Sequence, residues 1–231
     1  MDEIIKDRVN ALINLCDNRK NQILNFVAYL EETGYFIAPA STKYHNNLET
    51  GLINHSLLVT EYLLNIKQTL FDRLSPIVAN KIRLGVDSVW QSTFCKISDE
   101  SCVIVGLFHD VHKVCDGFGR INYLSNVLKS GKVSDSKPYE SNKEIMTVVG
   151  SYKGVALVSK YIDLYEHEFQ AIACHDGQYI SANREIALKE HPLTLMLHFV
   201  DMFSAILIED KNSWLYRKVS DCVFAKLNEN I

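Results

Sequence analysis

Four separated stretches of the sequence carry the same oddity, an imidazole or carboxylate set in a run of apolar residues. His55 lies in GLINHSLLV, and His109 and Asp110 lie in VIVGLFHDVHKVC. His175 and Asp176 lie in QAIACHDGQY, and His198 and Asp201 lie in LMLHFVDMFSA. Desolvating such groups costs several kcal/mol, on the order of 2–7 for one neutral polar group, unless they are paired or bound to a metal. A single histidine in an apolar run is ordinarily a hydrogen-bonded core residue. Several helices repeating the feature argue for convergence, because imidazoles and carboxylates projecting from facing helices are how helical bundles build metal sites. Neutral imidazole and ionised carboxylate suit Mn2+, Fe2+, Co2+, Ni2+ or Zn2+. With more than one carboxylate and no thiolate in the set, Mn2+ or Fe2+ is favoured over Zn2+. A site rich in imidazole disfavours Mg2+. The expected cofactor is therefore a divalent metal ion.

Neighbouring residues extend the chemistry. Lys113 stands one helical turn beyond His109 and on the same face. An amine there would neutralise charge on a phosphoryl oxygen; the alternative is a lysine that snorkels to the surface. Asp176 would orient His175 or act as a general acid or base. Tyr179 and Arg184 follow His175 closely. A tyrosine can stack a base and an arginine can hold a phosphate bidentately, although the charged stretch SNREIALKE also reads as a solvated loop and helix. His198 precedes Asp201 by one turn and would either support the ligands from outside or simply pack. His112 reads as packed or hydrogen-bonded, His167 as solvated between two glutamates, and His191 as part of a cap before Pro192.

These residues need elements to hold them, and helical periodicity dominates the chain. Residues 3–34 read as one or two helices closed by Gly34 as a C-terminal cap. FIAPASTKYHNNLETG reads as a loop, and LINHSLLVTEYLLNIKQTLF as a helix. SPIVANKIRLGVDSVWQST reads as a separate helix capped by Ser75, with Pro76 in its first turn. Ser98 is a candidate N-cap for the helix through VIVGLF, with acids in its first turn. KGVALVSKYI, YEHEFQAIACH, HPLTLMLHFVDMFSAILI and SWLYRKVSDCVFAKL complete the helical set. Between them, residues 117–142 break the pattern and suggest a small β-hairpin-like excursion. The expected fold is mainly α: a single domain over residues 1–231, with N-terminal helices 1–34 packing on a helical-bundle core at 35–231.

Composition sets outer limits. The 231 residues are 47% hydrophobic and 23% charged, enough apolar material for a real core. A net charge of −4 argues against an extended nucleic-acid-binding surface. No stretch reads as approaching the roughly 18 continuous apolar residues of a membrane span, and MDEIIKDRVN lacks the apolar core of a signal peptide. The six cysteines, at 16, 95, 102, 115, 174 and 222, form no C-x-x-C pair. They read as reduced and buried, which suggests a cytoplasmic protein.

His55, the His109-Asp110 doublet and Asp201, in that order, resemble the H…HD…D signature of the HD superfamily of metal-dependent phosphohydrolases. APASTKYHNNLETGLINHSLLV resembles the segment through the first ligand helix in a branch that includes phage and bacterial hydrolases and 3′–5′ exoribonucleases. LFHDVHKV is similar to its HD-x-x-K box, AIACHDGQY to its later histidine motif, and HPLTLMLHFVDMFSA to its final aspartate helix. The resemblance implies that His55, His109, Asp110 and Asp201 ligate the principal metal and that Lys113 contacts a substrate phosphate. It implies that His175 binds phosphate or a second metal and that His45 faces the same cleft. Two-metal relatives often carry a further histidine in a GHGE-like segment. The corresponding stretch here is VVGSYKGV, with Ser151 after Gly150, and no histidine falls between His112 and His167. One tightly held metal is the resulting expectation.

The chemistry implied is hydrolysis of a phosphate ester. A bound divalent ion lowers the pKa of its water from about 15.7 to around 7 and polarises a phosphoryl oxygen. Asp110, Lys113, His175 and Asp176 would be the catalytic set, and His45, Lys113, His175, Tyr179 and Arg184 the substrate contacts. The expected substrate is a small phosphorylated molecule, a 5′-nucleotide or nucleoside triphosphate, with no membrane partner. Relatives in the family often dimerise, so a homodimer is among the expectations. Two alternatives stand beside this. One is a 3′–5′ exonuclease or phosphodiesterase acting on RNA or cyclic nucleotides. The other is a non-catalytic binding protein that keeps the fold.

Overall fold

In the computed structural model, which describes residues 2–83, 97–115 and 119–210, local chain chemistry sets each helix boundary. Helix α1 (Glu3–Ile13) begins where the Asp2 side chain accepts from the Ile4 amide at 3.0 Å. Helix α2 (Lys20–Glu32) ends at Gly34, whose φ of +93° suits a residue without a Cβ. The Tyr35 amide then returns to the Leu30 carbonyl and the Gly34 amide to the Glu31 carbonyl, satisfying two carbonyls left over by the helix. The loop of residues 35–50 leads into α3 (Gly51–Arg83). Helix α4 (Asp99–Phe108) starts at Ser98, whose Oγ accepts from the Ser101 amide at 3.0 Å.

After a single turn of 3-10 helix at Val111–Lys113 comes an antiparallel hairpin of β1 (Tyr123–Ser125) and β2 (Tyr139–Ser141). Helices α5 (Gly150–Val158), α6 (Glu166–Cys174) and α7 (Pro192–Phe203) follow. Two 3-10 segments, Gly177–Tyr179 and Ser181–Ile186, link α6 to α7, and a π-helical segment, Ser204–Glu209, continues from α7. The fold is thus mainly α with one small hairpin inside the 117–142 excursion.

Helix α4 is the central post. Every residue from Glu100 to Phe108 is buried, and the helix touches α1, α3, α6 and α7. Such all-round apolar character suits a helix enclosed by others. Each buried Val, Leu, Ile or Phe there contributes about 1.5–3 kcal/mol. One contiguous apolar core takes in residues from Ile5 in α1 to Val200 in α7. The crossing with α3 is close: a Cβ on Gly106 would lie 2.5 Å from Thr60 Oγ1 and 2.8 Å from its Cα. Glycine at 106 is what lets the helices that carry His55 and His109 approach.

A buried ion triad ties the N-terminal helices to this post. Arg19 donates to Glu100 at 2.7 Å and to Glu168 at 2.5 Å. The acid at position 100, read from sequence as a complement to the helix N-terminus, is in fact half of a charge pair 81 residues long in sequence.

Several sequence expectations change here. Helix α3 runs unbroken past Ser75 and Pro76 to Arg83, so no new helix starts there. Proline's fixed φ is itself helical, and its cost in a helix interior is one lost hydrogen bond and local crowding. The continuation of that stretch, with Cys95, and the SWLYRKVSDCVFAKL helix, with Cys222, lie outside the described residues. Cys16, Cys102 and Cys115 are buried and Cys174 is half-buried; all four are free thiols. By length and composition, Pro192–Glu209 is apolar enough to cross a membrane, although it is not a continuous apolar run. Leu193, Met196, Leu197 and Val200 are buried in the core, and the same stretch carries His198, Asp201 and Glu209.

Candidate metal centre

His55 sits one turn into α3, and Asp201 sits near the end of α7. The HD doublet falls at a helix end. Helix α4 stops at Phe108, His109 is its C-cap, and Asp110 has φ −106° and ψ +11°. Asp110 thus departs from regular helical dihedrals while His109 keeps them. The chain turns at Asp110, and that turn aims both side chains at one point.

Four donor atoms meet there. His55 Nε2 is 3.0 Å from Asp201 Oδ1 and 3.7 Å from Asp110 Oδ2. His109 Nε2 is 3.4 Å from Asp110 Oδ2, 3.7 Å from Asp201 Oδ1 and 3.3 Å from His55 Nε2. Donors bound to one ion at about 2.0–2.2 Å stand roughly 3.0–3.5 Å apart; three of these five spacings fall in that range and the other two are 3.7 Å.

Tautomers sharpen the fit. His109 Nδ1 donates to the Gly106 carbonyl at 2.9 Å, and His55 Nδ1 donates to Glu209 Oε2 at 2.9 Å. In the neutral rings both Nε2 atoms are then bare lone pairs. Two lone pairs at 3.3 Å, facing two carboxylates, need positive charge between them. Protons are one source. Burial pushes His55 down, but its hydrogen bonds to Asp201 and Glu209 outweigh this and raise it to about 10. Burial likewise lowers His109, and the Asp110 charge raises it to about 9. Burial works against the Asp110 and Asp201 carboxylates, yet Lys113 and His109 hold Asp110 well below its ordinary value, and His109 and His55 do the same for Asp201. The buried His55, His109 and Asp110 donors lie close enough together that they could hold one metal ion, with Asp201 Oδ1 beside the two imidazoles.

Around this point Asp110 faces two ways. Its Oδ2 meets the ligand nitrogens and Lys113 Nζ at 2.5 Å. Its Oδ1 faces His175 Nε2 at 3.5 Å and His112 Nδ1 at 3.8 Å. His175 Nδ1 donates to the Ile172 carbonyl at 2.8 Å, so its Nε2 is the exchangeable position. Asp176 Oδ1 stands 3.8 Å from that nitrogen, at the exposed rim. The His45 ring packs 5.1 Å from the His55 ring.

Three atoms beside the cluster, His45 Nε2, His112 Nδ1 and Glu209 Oε1, are buried with no hydrogen-bond partner among the described residues. Burial pushes His45 and His112 down to about 3. His112 is therefore a neutral ring set against Asp110, closer to the site than its reading as simple packing.

The other candidates fall outside the cluster. Tyr179 is exposed and directs its hydroxyl to Met202 Sδ at 3.8 Å; Arg184 is exposed on the Ser181–Ile186 segment. His198 donates from Nδ1 to the His175 carbonyl at 2.7 Å, which makes it a brace rather than packing alone. His167 is half-buried between Tyr165 and His191, not solvated. His191 caps α7 by accepting from the Leu193 amide, as expected.

Sequence reasoning missed Glu209. Eight residues at about 100° each would leave it roughly 80° round a regular helix from Asp201. The π-helical segment changes that register and delivers its carboxylate to His55. An acid closing a long apolar run was the available signal.

No family model, curated protein or solved structure matches this chain.

Proposed function

We propose that this protein is a metal-dependent phosphohydrolase that cleaves a phosphate ester of a nucleotide. The observation that carries the reading is the convergence of His55 Nε2, His109 Nε2, Asp110 Oδ2 and Asp201 Oδ1, with both imidazole tautomers fixed from behind. The resemblance of these residues to the HD superfamily signature supports the same reaction class. A bound divalent ion, with Mn2+ or Fe2+ preferred for this donor set, supplies Lewis acidity at a phosphoryl oxygen and at water.

The chain's own residues do the rest. Burial lowers Lys113, but Asp110 more than offsets this and holds the ammonium above its ordinary value. Lys113 is then a permanent positive charge, suited to the equatorial oxygens of a phosphoryl group and unsuited to proton transfer. His175 differs. Burial lowers it, the Asp110 hydrogen bond raises it, and the net direction is up. Its Nδ1 is engaged by the Ile172 carbonyl, so Nε2, 3.5 Å from Asp110 Oδ1, is the position from which it would pass a proton to a leaving oxygen. Asp176, at the rim, orients it, and His198 braces its backbone.

The test is to purify the protein, quantify bound metals, and offer 5′-nucleotides, nucleoside triphosphates, cyclic dinucleotides and short RNA with Mn2+. Phosphate release from nucleotides, lost together with metal in Asp110→Ala, is the expected result. Shortening of RNA without action on nucleotides overturns the substrate class in favour of an exonuclease. Absence of both turnover and retained metal overturns the enzyme reading in favour of a binding protein.

A further inference from the structure

Lys113 belongs to two environments. Its Nζ pairs with Asp110 Oδ2, and its side chain also lines a cavity of about 320 Å³ between the loop after α2 and the hairpin. Tyr123 and Tyr139 form the hairpin wall, Ile37 and Pro39 the loop wall, and the exposed Glu49 stands in the lining. The β register explains the shape. Tyr123 pairs with Ser141 and Tyr139 with Ser125, so the two rings are diagonal neighbours on one face of the ribbon, with small serines at the other two corners. Diagonal neighbours stand roughly 7–8 Å apart. The result is a largely apolar cavity lined by two tyrosines, with Lys113 and Glu49 also in its lining.

We propose that this slot holds the base of an amino-bearing nucleotide. Its phosphate end lies at Lys113, its ring contacts Tyr123 and Tyr139, and Glu49 accepts from the exocyclic amino group. The assignment rests on the phosphohydrolase reading above for the phosphate end alone. Three features favour a nucleobase over a ringless phosphoester. The volume lies at the small-ligand end of binding cavities, about 300–1,000 Å³. Stacking on aromatic side chains is the general way proteins hold unpaired bases. A carboxylate accepting from a base amino group is an ordinary base contact.

The experiment has two arms. Saturation-transfer NMR on adenosine, which has no phosphate, reads base contact without any turnover. The base protons are expected to receive saturation from the wild-type protein. The signal should fall several-fold in Tyr123→Ala and Tyr139→Ala and persist in the corresponding Phe variants. Inosine, which lacks the amino group, should bind more weakly than adenosine, and the difference should vanish in Glu49→Gln. Unchanged transfer in both alanine variants, with circular dichroism showing them folded, overturns the proposal. In the second arm Tyr139→Ala should raise KM for AMP about ten-fold more than it raises KM for p-nitrophenyl phosphate. Equal loss on both substrates also overturns it. Adenosine binding with no phosphate released from either compound would refute the hydrolase reading and leave the base slot standing.

Discussion

His55 and Glu209 form a carboxylate–imidazole pair across 154 residues of sequence: Nδ1 donates to Oε2 at 2.9 Å while Nε2 of the same ring faces Asp201 at 3.0 Å. One ring thus joins two carboxylates, with its outer nitrogen fixed as the donor and its inner nitrogen turned to the cluster. Such partners behind a ligating histidine set its tautomer and raise its basicity.

Removing that partner should loosen metal binding without dismantling the fold. Glu209→Ala is expected to weaken divalent-metal affinity by about 10–100-fold, measured by competition with a chelator of known affinity. Glu209→Gln keeps an acceptor for Nδ1–H and loses only the charge, so its loss should be smaller. Unaltered affinity in the alanine variant would show that Glu209 serves the fold alone.

Gly106 links packing to the site. Its carbonyl holds His109 Nδ1, and its missing side chain lets Thr60 approach. Gly106→Ala should destabilise the protein by about 1–3 kcal/mol, the usual cost of overpacking a tight core. Because the carbonyl must shift with the helix, metal retention should fall as well. Denaturant unfolding and metal content check the two halves separately, and a fully stable variant with normal metal content would contradict the close α3–α4 contact.

Most helices and the four converging polar side chains were legible from sequence because both follow local rules. Apolar periodicity, Ser98 as a cap and Gly34 as a terminator act within a few residues, and His55, His109, Asp110 and Asp201 stood out as polar groups in apolar runs. What was not legible depends on backbone departures from regular geometry. The turn at Asp110 aims the doublet, the π segment swings Glu209 inward, and the strand register pairs Tyr123 and Tyr139 on one face. The Arg19–Glu100–Glu168 triad was hidden for a different reason. Charged residues 81 and 149 positions apart carry no local mark of their pairing.

That triad makes a prediction with a pH signature. Arg19→Met leaves Glu100 and Glu168 buried without a counter-charge and should cost about 3–5 kcal/mol. Replacing all three residues with apolar ones of similar volume should cost far less. Burial acts to raise the Glu100 carboxyl, but the Arg19 hydrogen bonds outweigh it and hold it below its ordinary value of 4.5. A group depressed in the folded state contributes stability that is full above its unfolded value. That contribution is lost as pH falls through the folded value. Wild-type unfolding midpoints should therefore drop as pH is lowered from about 4.5, and the drop should be shallower in the triple apolar variant. Parallel pH profiles for the two proteins would exclude the triad as the cause.

His45 separates function from stability most cleanly. Its Nε2 is buried without a hydrogen-bond partner among the described residues, and burial holds the ring neutral by pushing it to about 3. An unsatisfied buried polar atom costs about 1–3 kcal/mol, so replacing it with an apolar group of similar shape is neutral or favourable. His45→Phe should consequently melt at the same temperature as wild type or higher. If the imidazole stands ready for a substrate phosphate beside His55, the same change should raise KM for the nucleotide while leaving metal content intact. A lower melting temperature would mean that Nε2 is satisfied in solution, and an unchanged KM would remove His45 from the substrate contacts.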